Sequence, residues 1–315
     1  MKRFGVLHQE WGMVINMMIQ VYDLRQKKMI DEDTPNYVSL LFLYHSFYGR
    51  GVLHLLVKRK IVSELIGKMM KSRGSIKRIK PFIKKYRINQ DEFNDNIDDY
   101  KCFNDFFIRK LRHGAREFDF TPDALCSPCD GKVLAWENIE PDFLCQFKGM
   151  EYSLAKLFDN EALANEYKGG TCIVFRLSPT DYHRFHFMDN GICGVSRIIN
   201  GKHYYSVNPL ALEKMKEVYL KNKRSLSIFE SDNFGKVLIV EVGATAVGSI
   251  KQTYTAGERV ERGSEKGYFE FGGSTVILFF MEGKADIDND IILNTQKGIE
   301  CKVLAGEKIG HASKK

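Results

Sequence analysis

The apolar and polar positions divide the chain into two textures. From residue 1 to about 90, apolar residues recur at helical spacing among good helix formers. Only Pro35 and Pro81 interrupt them, and this part reads as helices. "NQDEFNDNIDDY" at 89–100 reads as an acidic connector, after which "FNDFFIRKLRHGARE" at 103–117 spaces Phe103, Phe106, Phe107 and Leu111 as a helical face running towards Gly114. From about 120 the pattern shortens to β-rich runs ("KVLAW", "TCIVFRL", "KVLIVEVGATAVGSI", "STVILFF", "CKVLAG") punctuated by glycines, as in a mainly antiparallel barrel or sandwich. The expected class is α+β, with a helical region over 1–100 packed on a β-barrel or sandwich domain over 101–315. No internal repeat and no βαβ alternation accompanies it.

One run breaks its own pattern. "GYFEFGGSTVILFF" at 267–280 alternates aromatics up to Phe271, then places Gly272, Gly273, Ser274 and Thr275 ahead of an apolar strand. Glycine inside a strand marks a bulge or a close backbone approach. A bulge is the plain reading; the sharper one is that this peptide bond is built to break.

Composition is that of a folded protein, 44% hydrophobic and 28% charged, and seven scattered cysteines do not form a secreted disulfide framework. A reducing compartment fits better. Lys2 and Arg3 precede apolar residues as in a signal peptide, but Glu10 interrupts the stretch and no small-residue cleavage site follows. "PNYVSLLFLYHSFYG" at 35–49 is shorter than the ~20 residues of a spanning helix, so no transmembrane helix is expected. Charge is concentrated: residues 50–87 hold thirteen Lys or Arg against the single acid Glu64, a net +12 in a chain of +7. A solvated helical face is the ordinary outcome for such a run. With "GVLHLLV" and "IVSELIGKMM" beside it, an anionic membrane surface is the favoured partner and nucleic acid the rival.

Three motifs can carry chemistry. "SPCDGKV" at 127–133 puts Asp130 before Gly131, which by itself is an ordinary turn. Its Cys126 and Cys129 lack the two further ligands of a zinc site, and the pair is taken as incidental. "SPTDYHRFHF" at 178–187 holds His183 and His186 in an aromatic run, readable as buried hydrogen-bonded histidines, as an acid/base pair, or as two metal ligands wanting a third. "VEVGATAVGSI" at 240–250 offers Gly243, Gly248 and Ser249, a weak signal for close backbone approach.

Together these give the broken strand a purpose. A serine hydroxyl can attack the carbonyl before it, turning amide into ester, and glycine at 273 leaves the line of attack open. A histidine oriented by an aspartate takes the proton. Elimination then leaves dehydroalanine at the new chain start, and hydrolysis gives a pyruvoyl ketone and ammonia. That ketone is an electron sink for an amine substrate, which joins it as an imine (Schiff base) and loses its α-carboxylate as CO2. Ser274, His186 with Asp130, and His183 as proton donor can fill the positions.

"SPCDGKV", "DYHRFH", "SVNPLAL" (206–212), "VGATAVGSI" and "FGGST" stand in the order found in the phosphatidylserine decarboxylases, which this chain resembles over roughly 100–310. "FNDFFIRKLRHGAR" is similar to the helix leading into their catalytic domain and "NTQKGIECKVLAGEKIG" (294–310) to their last strands; the basic amino-terminal region is similar to that of longer bacterial members. Cys129 stands where the family has an apolar residue, and "GGST" replaces the "LGST" of many short members. The resemblance implies a proenzyme that cleaves itself between Gly273 and Ser274 into residues 1–273 and 274–315, held together as a heterodimer, with a covalent pyruvoyl group from Ser274 as sole cofactor and no metal or pyridoxal phosphate. It implies Asp130, His186 and Ser274 as the self-cleavage triad and His183 as the residue of the decarboxylation. It further implies phosphatidylserine as substrate, phosphatidylethanolamine as product, and a peripheral place on the cytoplasmic side of the cell membrane. Ser274 is expected to open a strand, with Asp130 and both histidines converging on it. Two other readings are an unprocessed lipid-binding or scaffold homologue and a metallohydrolase built on the two histidines.

Overall fold

The broken strand lies at the centre of the molecule. The computed structural model describes residues 19–32, 35, 37–53, 60–140, 153–201, 203, 205–214, 217–244, 250–272 and 274–314. The leading residues 1–18, Gly248, Ser249, Gly273 and the side chains of Arg50, Lys58, Arg59 and Lys60 lie outside that description. Strand Ser274–Phe280 is flanked on one side by Gly235–Gly243 and on the other by Thr171–Leu177, both antiparallel. Gly131–Trp136 and Cys301–Val303 continue the sheet on the second side, Arg224–Ser231 and Gly191–Cys193 on the first; with Ile19–Asp23, Lys28–Glu32, Arg197–Ile199 and Arg259–Val260 it has eleven strands among the described residues. A strand buried on both faces needs side chains without polar atoms, and Val276, Ile277, Leu278, Phe279 and Phe280 are each no more than 1% exposed. Two three-stranded sheets complete the β-rich part: Ile250–Gln252, Glu265–Phe269 and Arg184–His186, and Ala285–Ile287, Lys308–Ala312 and Ala124–Cys126. The class is α+β with mainly antiparallel sheets, as expected.

The amino-terminal part departs from an all-helical reading. Ile19–Asp23 and Lys28–Glu32 form a hairpin that joins the main sheet through a parallel pairing of Ile19–Asp23 with Cys301–Val303. Its turn has no glycine or proline; Lys27 takes the left-handed conformation instead, at φ 49°. Helices follow at Tyr37–His45, Phe47–Val52, Lys60–Lys71 and Ile79–Tyr86. The helical face expected over 103–117 is one short helix, Phe103–Phe107, after which the chain extends and Leu111 bridges Phe93.

The helices and the β-rich part meet in a small aromatic core of Met70, Ile79, Ile83, Tyr100, Phe103, Phe106 and Phe107. Phe271, three residues ahead of Ser274, packs against it, its ring edge-on to Phe103 at 5.4 Å and Phe107 at 5.1 Å. The chain on either side of residue 273 is therefore held by two different cores.

Candidate active site

Ser274 is the first residue of its strand, opposite Gly243 on one neighbour and Leu177 on the other. It is fully buried, and among the described residues its Oγ has no hydrogen-bond partner. Buried hydroxyls are nearly always paired; the neighbouring Thr275 Oγ1 is likewise without a partner among the described residues. Gly272 stands at φ 144°, a conformation L side chains rarely adopt. Just ahead of it, the Phe271 amide donates to Asn104 Oδ1 at 2.8 Å, and Glu270 pairs with Lys71 at 2.7 Å.

His183 is fully buried, with the Phe107 ring centroid 3.9 Å from its own. Its Nδ1 lies 2.9 Å from the Asp181 carbonyl, an acceptor only, so Nδ1 carries the proton. That leaves the Nε2 lone pair as an acceptor, and among the described residues Nε2 has no partner. Burial lowers the pKa to about 4, so the ring is neutral at pH 7. The His183 carbonyl accepts from the Phe269 amide at 3.0 Å, tying the histidine to the segment that leads to Ser274.

His186 and Asp130 are arranged differently from the expected dyad. His186 donates from Nδ1 to the Gly263 carbonyl at 2.9 Å, and its Nε2 takes the Tyr182 hydroxyl at 3.3 Å. Asp130 is gripped by Arg116, Nε to Oδ1 at 2.8 Å and Nη2 to Oδ2 at 2.6 Å, and accepts the Ala305 amide at 2.9 Å. Among the described residues no hydrogen bond joins Asp130 to His186 or either one to Ser274. The link between them is backbone: the His186 amide donates to Pro128 O at 2.7 Å, two residues before Asp130. Burial lowers the His186 pKa, opposed in part by its bond to the Gly263 carbonyl and the charges of Glu265 and Asp130.

On the sheet face away from Ser274 lies a buried charge cluster that sequence reasoning missed. Thr275, Arg176 and Lys132 sit opposite one another across three strands. Arg176 bonds Glu300 at 2.8 and 2.5 Å and Glu32 at 2.7 Å, while Lys132 lies 3.1 Å from Glu32 and 2.8 Å from Asp181. Ser178 adds its amide to Asp181 Oδ2 at 2.7 Å and its hydroxyl to Glu32. Burial opposes ionisation of Glu32, but Arg176 and Lys132 outweigh it and hold the carboxyl well below its usual range. For Lys132 too, burial is outweighed, by Asp181 and Glu32, and the ammonium is retained. Asp181, fixed by Lys132 and the Ser178 amide, is the residue whose carbonyl sets the His183 tautomer. Charged residues inside the apolar run "TCIVFRL" and directly after "DG" were the available signal.

The model of the phosphatidylserine decarboxylase family matches residues 103–311. A phosphatidylserine decarboxylase proenzyme of Ruminiclostridium cellulolyticum is 51% identical over 294 residues, 93% of this chain and 98% of that protein. Proenzymes of the same description from Clostridium novyi (51%) and Clostridium perfringens (49%) match over 93% of this chain and 99–100% of their own. The chain belongs to the phosphatidylserine decarboxylase family.

Proposed function

We propose that the chain is a pyruvoyl-dependent phosphatidylserine decarboxylase that cleaves itself between Gly273 and Ser274. The observation that carries the reading is Ser274 itself: fully buried, at the head of a central strand, two residues after Gly272 at φ 144°, with its Oγ unpaired among the described residues. A buried hydroxyl unsatisfied as serine fits a residue whose working form is another group.

Ser274 Oγ attacks the Gly273 carbonyl carbon, the C–N bond breaks, and the new amine takes a proton. The chain rests there as an ester until the Ser274 Cα proton is removed and the Gly273 carboxylate leaves. His183 serves as the base for the first step: its Nε2 is neutral and has no partner among the described residues, whereas His186 Nε2 is occupied by Tyr182. Asp130 acts on this site as a charge held by Arg116, and His186 fixes the loop that carries it. The pyruvoyl group would supply an electron sink for the substrate amine as carboxylate departs. The chain's own contribution is a dry site and a positioned imidazole that returns a proton to the substrate carbon. After scission residues 274–315 stay bound to 1–273, since strand Ser274–Phe280 is paired on both sides and each of its five buried apolar side chains contributes about 1.5–3 kcal/mol.

The helices supply a means of reaching a lipid. On Lys60–Lys71, Ile61, Leu65 and Met69 form a stripe at i, i+4, i+8 on the solvent side, 67%, 60% and 43% exposed, while Ser63 and Met70 face inward. Val38, Phe42, Tyr48 and Val52 are also exposed, as are Lys68, Lys71, Arg73, Lys77 and Arg78 at the end of helix Lys60–Lys71 and in the turn after it. Such a surface suits peripheral binding to an anionic leaflet, on the cytoplasmic side of the cell membrane. Among the described residues no helix is long and apolar enough to cross a membrane.

The test is the intact mass of the purified protein under denaturing conditions. Two species, 1–273 and 274–315, the smaller short of its sequence mass by the conversion of serine to pyruvoyl, are expected; Ser274→Ala should give one 315-residue species without decarboxylase activity. A single uncleaved wild-type species, or an active Ser274→Ala protein, would overturn the reading in favour of an unprocessed lipid-binding homologue.

A further inference from the structure

Arg109, two residues past helix Phe103–Phe107, is 5% exposed, yet among the described residues its guanidinium makes no ion pair and no hydrogen bond. It lies over the rings of Phe93 (5.2 Å) and Phe106 (5.1 Å), which remove water from it without supplying an acceptor. Burial lowers its pKa, the mark of a cation held without adequate compensation. The other arginines buried beside the site are all paired: Arg116 with Asp130, Arg176 with Glu300 and Glu32, Arg184 with Glu265.

Arg109 lines a cavity of about 310 Å³ together with Tyr100. The Tyr100 hydroxyl is buried and also lacks a partner, and burial pushes its pKa up to about 12, so it keeps its proton and remains a donor. Two residues that each hold an unsatisfied buried donor line one cavity, which makes it a place for an acceptor. Asp95, Asp99 and Asp105 line the same cavity; the first two are exposed, and Asp105 accepts the Lys101 amide. Among the described residues none of them pairs with Arg109, and all three carboxylates act on the Tyr100 hydroxyl, helping it keep its proton.

The cavity adjoins the catalytic elements. Arg184, which also lines it, donates from Nε to the Ile108 carbonyl at 2.9 Å, and Phe107 lies against His183. The Arg109 charge is felt at His183, where it helps to hold the imidazole neutral. We propose that Arg109, with Tyr100, binds the phosphodiester of the lipid headgroup, an assignment that rests on the decarboxylase reading above.

The substrate's other anion, its α-carboxylate, is excluded by the chemistry. A carboxylate loses its charge on becoming CO2, so an arginine bound to it would stabilise the ground state more than the transition state and slow the reaction. A phosphodiester keeps its charge throughout, and binding it lowers KM while leaving kcat alone.

The experiment is a comparison of wild type, Arg109→Gln and Arg109→Lys as processed enzymes on phosphatidylserine in detergent micelles, with cleavage of each read by mass. The Gln variant is expected to raise KM by about 10- to 100-fold with kcat little changed, the Lys variant to recover part of it, and inhibition by glycerophosphoethanolamine to weaken by the same factor. Inhibition by ethanolamine, which lacks the phosphate, should not move. Unchanged KM and glycerophosphoethanolamine inhibition, or a loss confined to kcat, would overturn the assignment. Where Arg109→Gln fails to fold, Tyr100→Phe decides in its place: a smaller rise in KM alone supports the site, and no rise overturns it. Calorimetric binding of glycerophosphoserine to uncleaved Ser274→Ala protein, with and without Arg109→Gln, separates the two readings: weaker binding with Gln upholds the phosphodiester site even if the wild type proves uncleaved, and equal binding overturns it.

Discussion

Replacing Glu32 by Gln tests whether the hairpin at the amino-terminal end is part of the machinery or an appendage. The substitution keeps the volume but removes a carboxylate that contacts Arg176 at 2.7 Å, Lys132 at 3.1 Å and the Ser178 hydroxyl, in a side chain 4% exposed. Breaking a buried ion pair by removing one partner costs about 3–5 kcal/mol when it strands the other charge. Here neither cation is stranded, because Arg176 keeps Glu300 and Lys132 keeps Asp181. The loss reduces to hydrogen bonds to charged groups, about 1.5–3 kcal/mol in total, a fall in Tm of roughly 3–8 °C. The pH dependence gives a second check. The folded-state pKa of Glu32 is depressed below its ordinary 4.5, so its stabilisation is fully present above that value and is lost as pH falls through the folded pKa. The gap in Tm between wild type and Glu32→Gln should therefore be constant from pH 7 to about 5 and narrow below about 4.5. Scanning calorimetry is the assay, with both proteins carrying Ser274→Ala so that unfolding involves one chain. Equal Tm values at pH 7, or a gap that stays constant down to pH 3, would refute the reasoning.

Two further outcomes follow from the site and the helices. Self-cleavage of freshly synthesised precursor, followed on gels against pH, should hold its rate down to about pH 5 and halve near 4, because burial lowers the His183 pKa to about 4 and the neutral base persists above it; His183→Gln should slow cleavage about 100-fold or more. A break near 6.5 would mean that a solvated histidine is the base. Leu65→Glu, at a position 60% exposed, should leave Tm unaltered and cut partition onto phosphatidylserine-containing vesicles about 10-fold or more, as expected from losing one buried leucine; unchanged binding in a vesicle flotation assay would remove this stripe from the membrane face.

What was legible in the chain depended on how locally each feature is encoded. Strand Ser274–Phe280 announces itself because seven consecutive residues are buried on both faces and glycines interrupt the pattern just before it. The hairpin at 19–32 was hidden, since its pairing partner lies at 301–303 and its turn uses a left-handed Lys27 where a glycine or asparagine would have been the signal. The charge cluster was hidden for the same reason: Glu32 and Glu300 reach Arg176 from 144 and 124 residues away, and spacing carries no trace of that. Asp130 shows how a contact can escape a reading from motifs: its carboxylate is held by Arg116 and the Ala305 amide. An aspartate and a histidine in separate motifs suggest a dyad, but Arg116, fourteen residues upstream, offers a bidentate fork that a carboxylate prefers to a single imidazole nitrogen. With the carboxylate held there, His183 is left as the buried imidazole with a free nitrogen, and its state is set by a carbonyl and by burial. A base tuned by desolvation gains most where water is excluded, and the aromatic core of the amino-terminal helices does this by laying Phe107 against the ring. The helical part that carries the exposed apolar stripe thus also keeps the imidazole dry and holds Phe271 in place, so disturbing its packing should be felt at His183 and at the chain before Ser274.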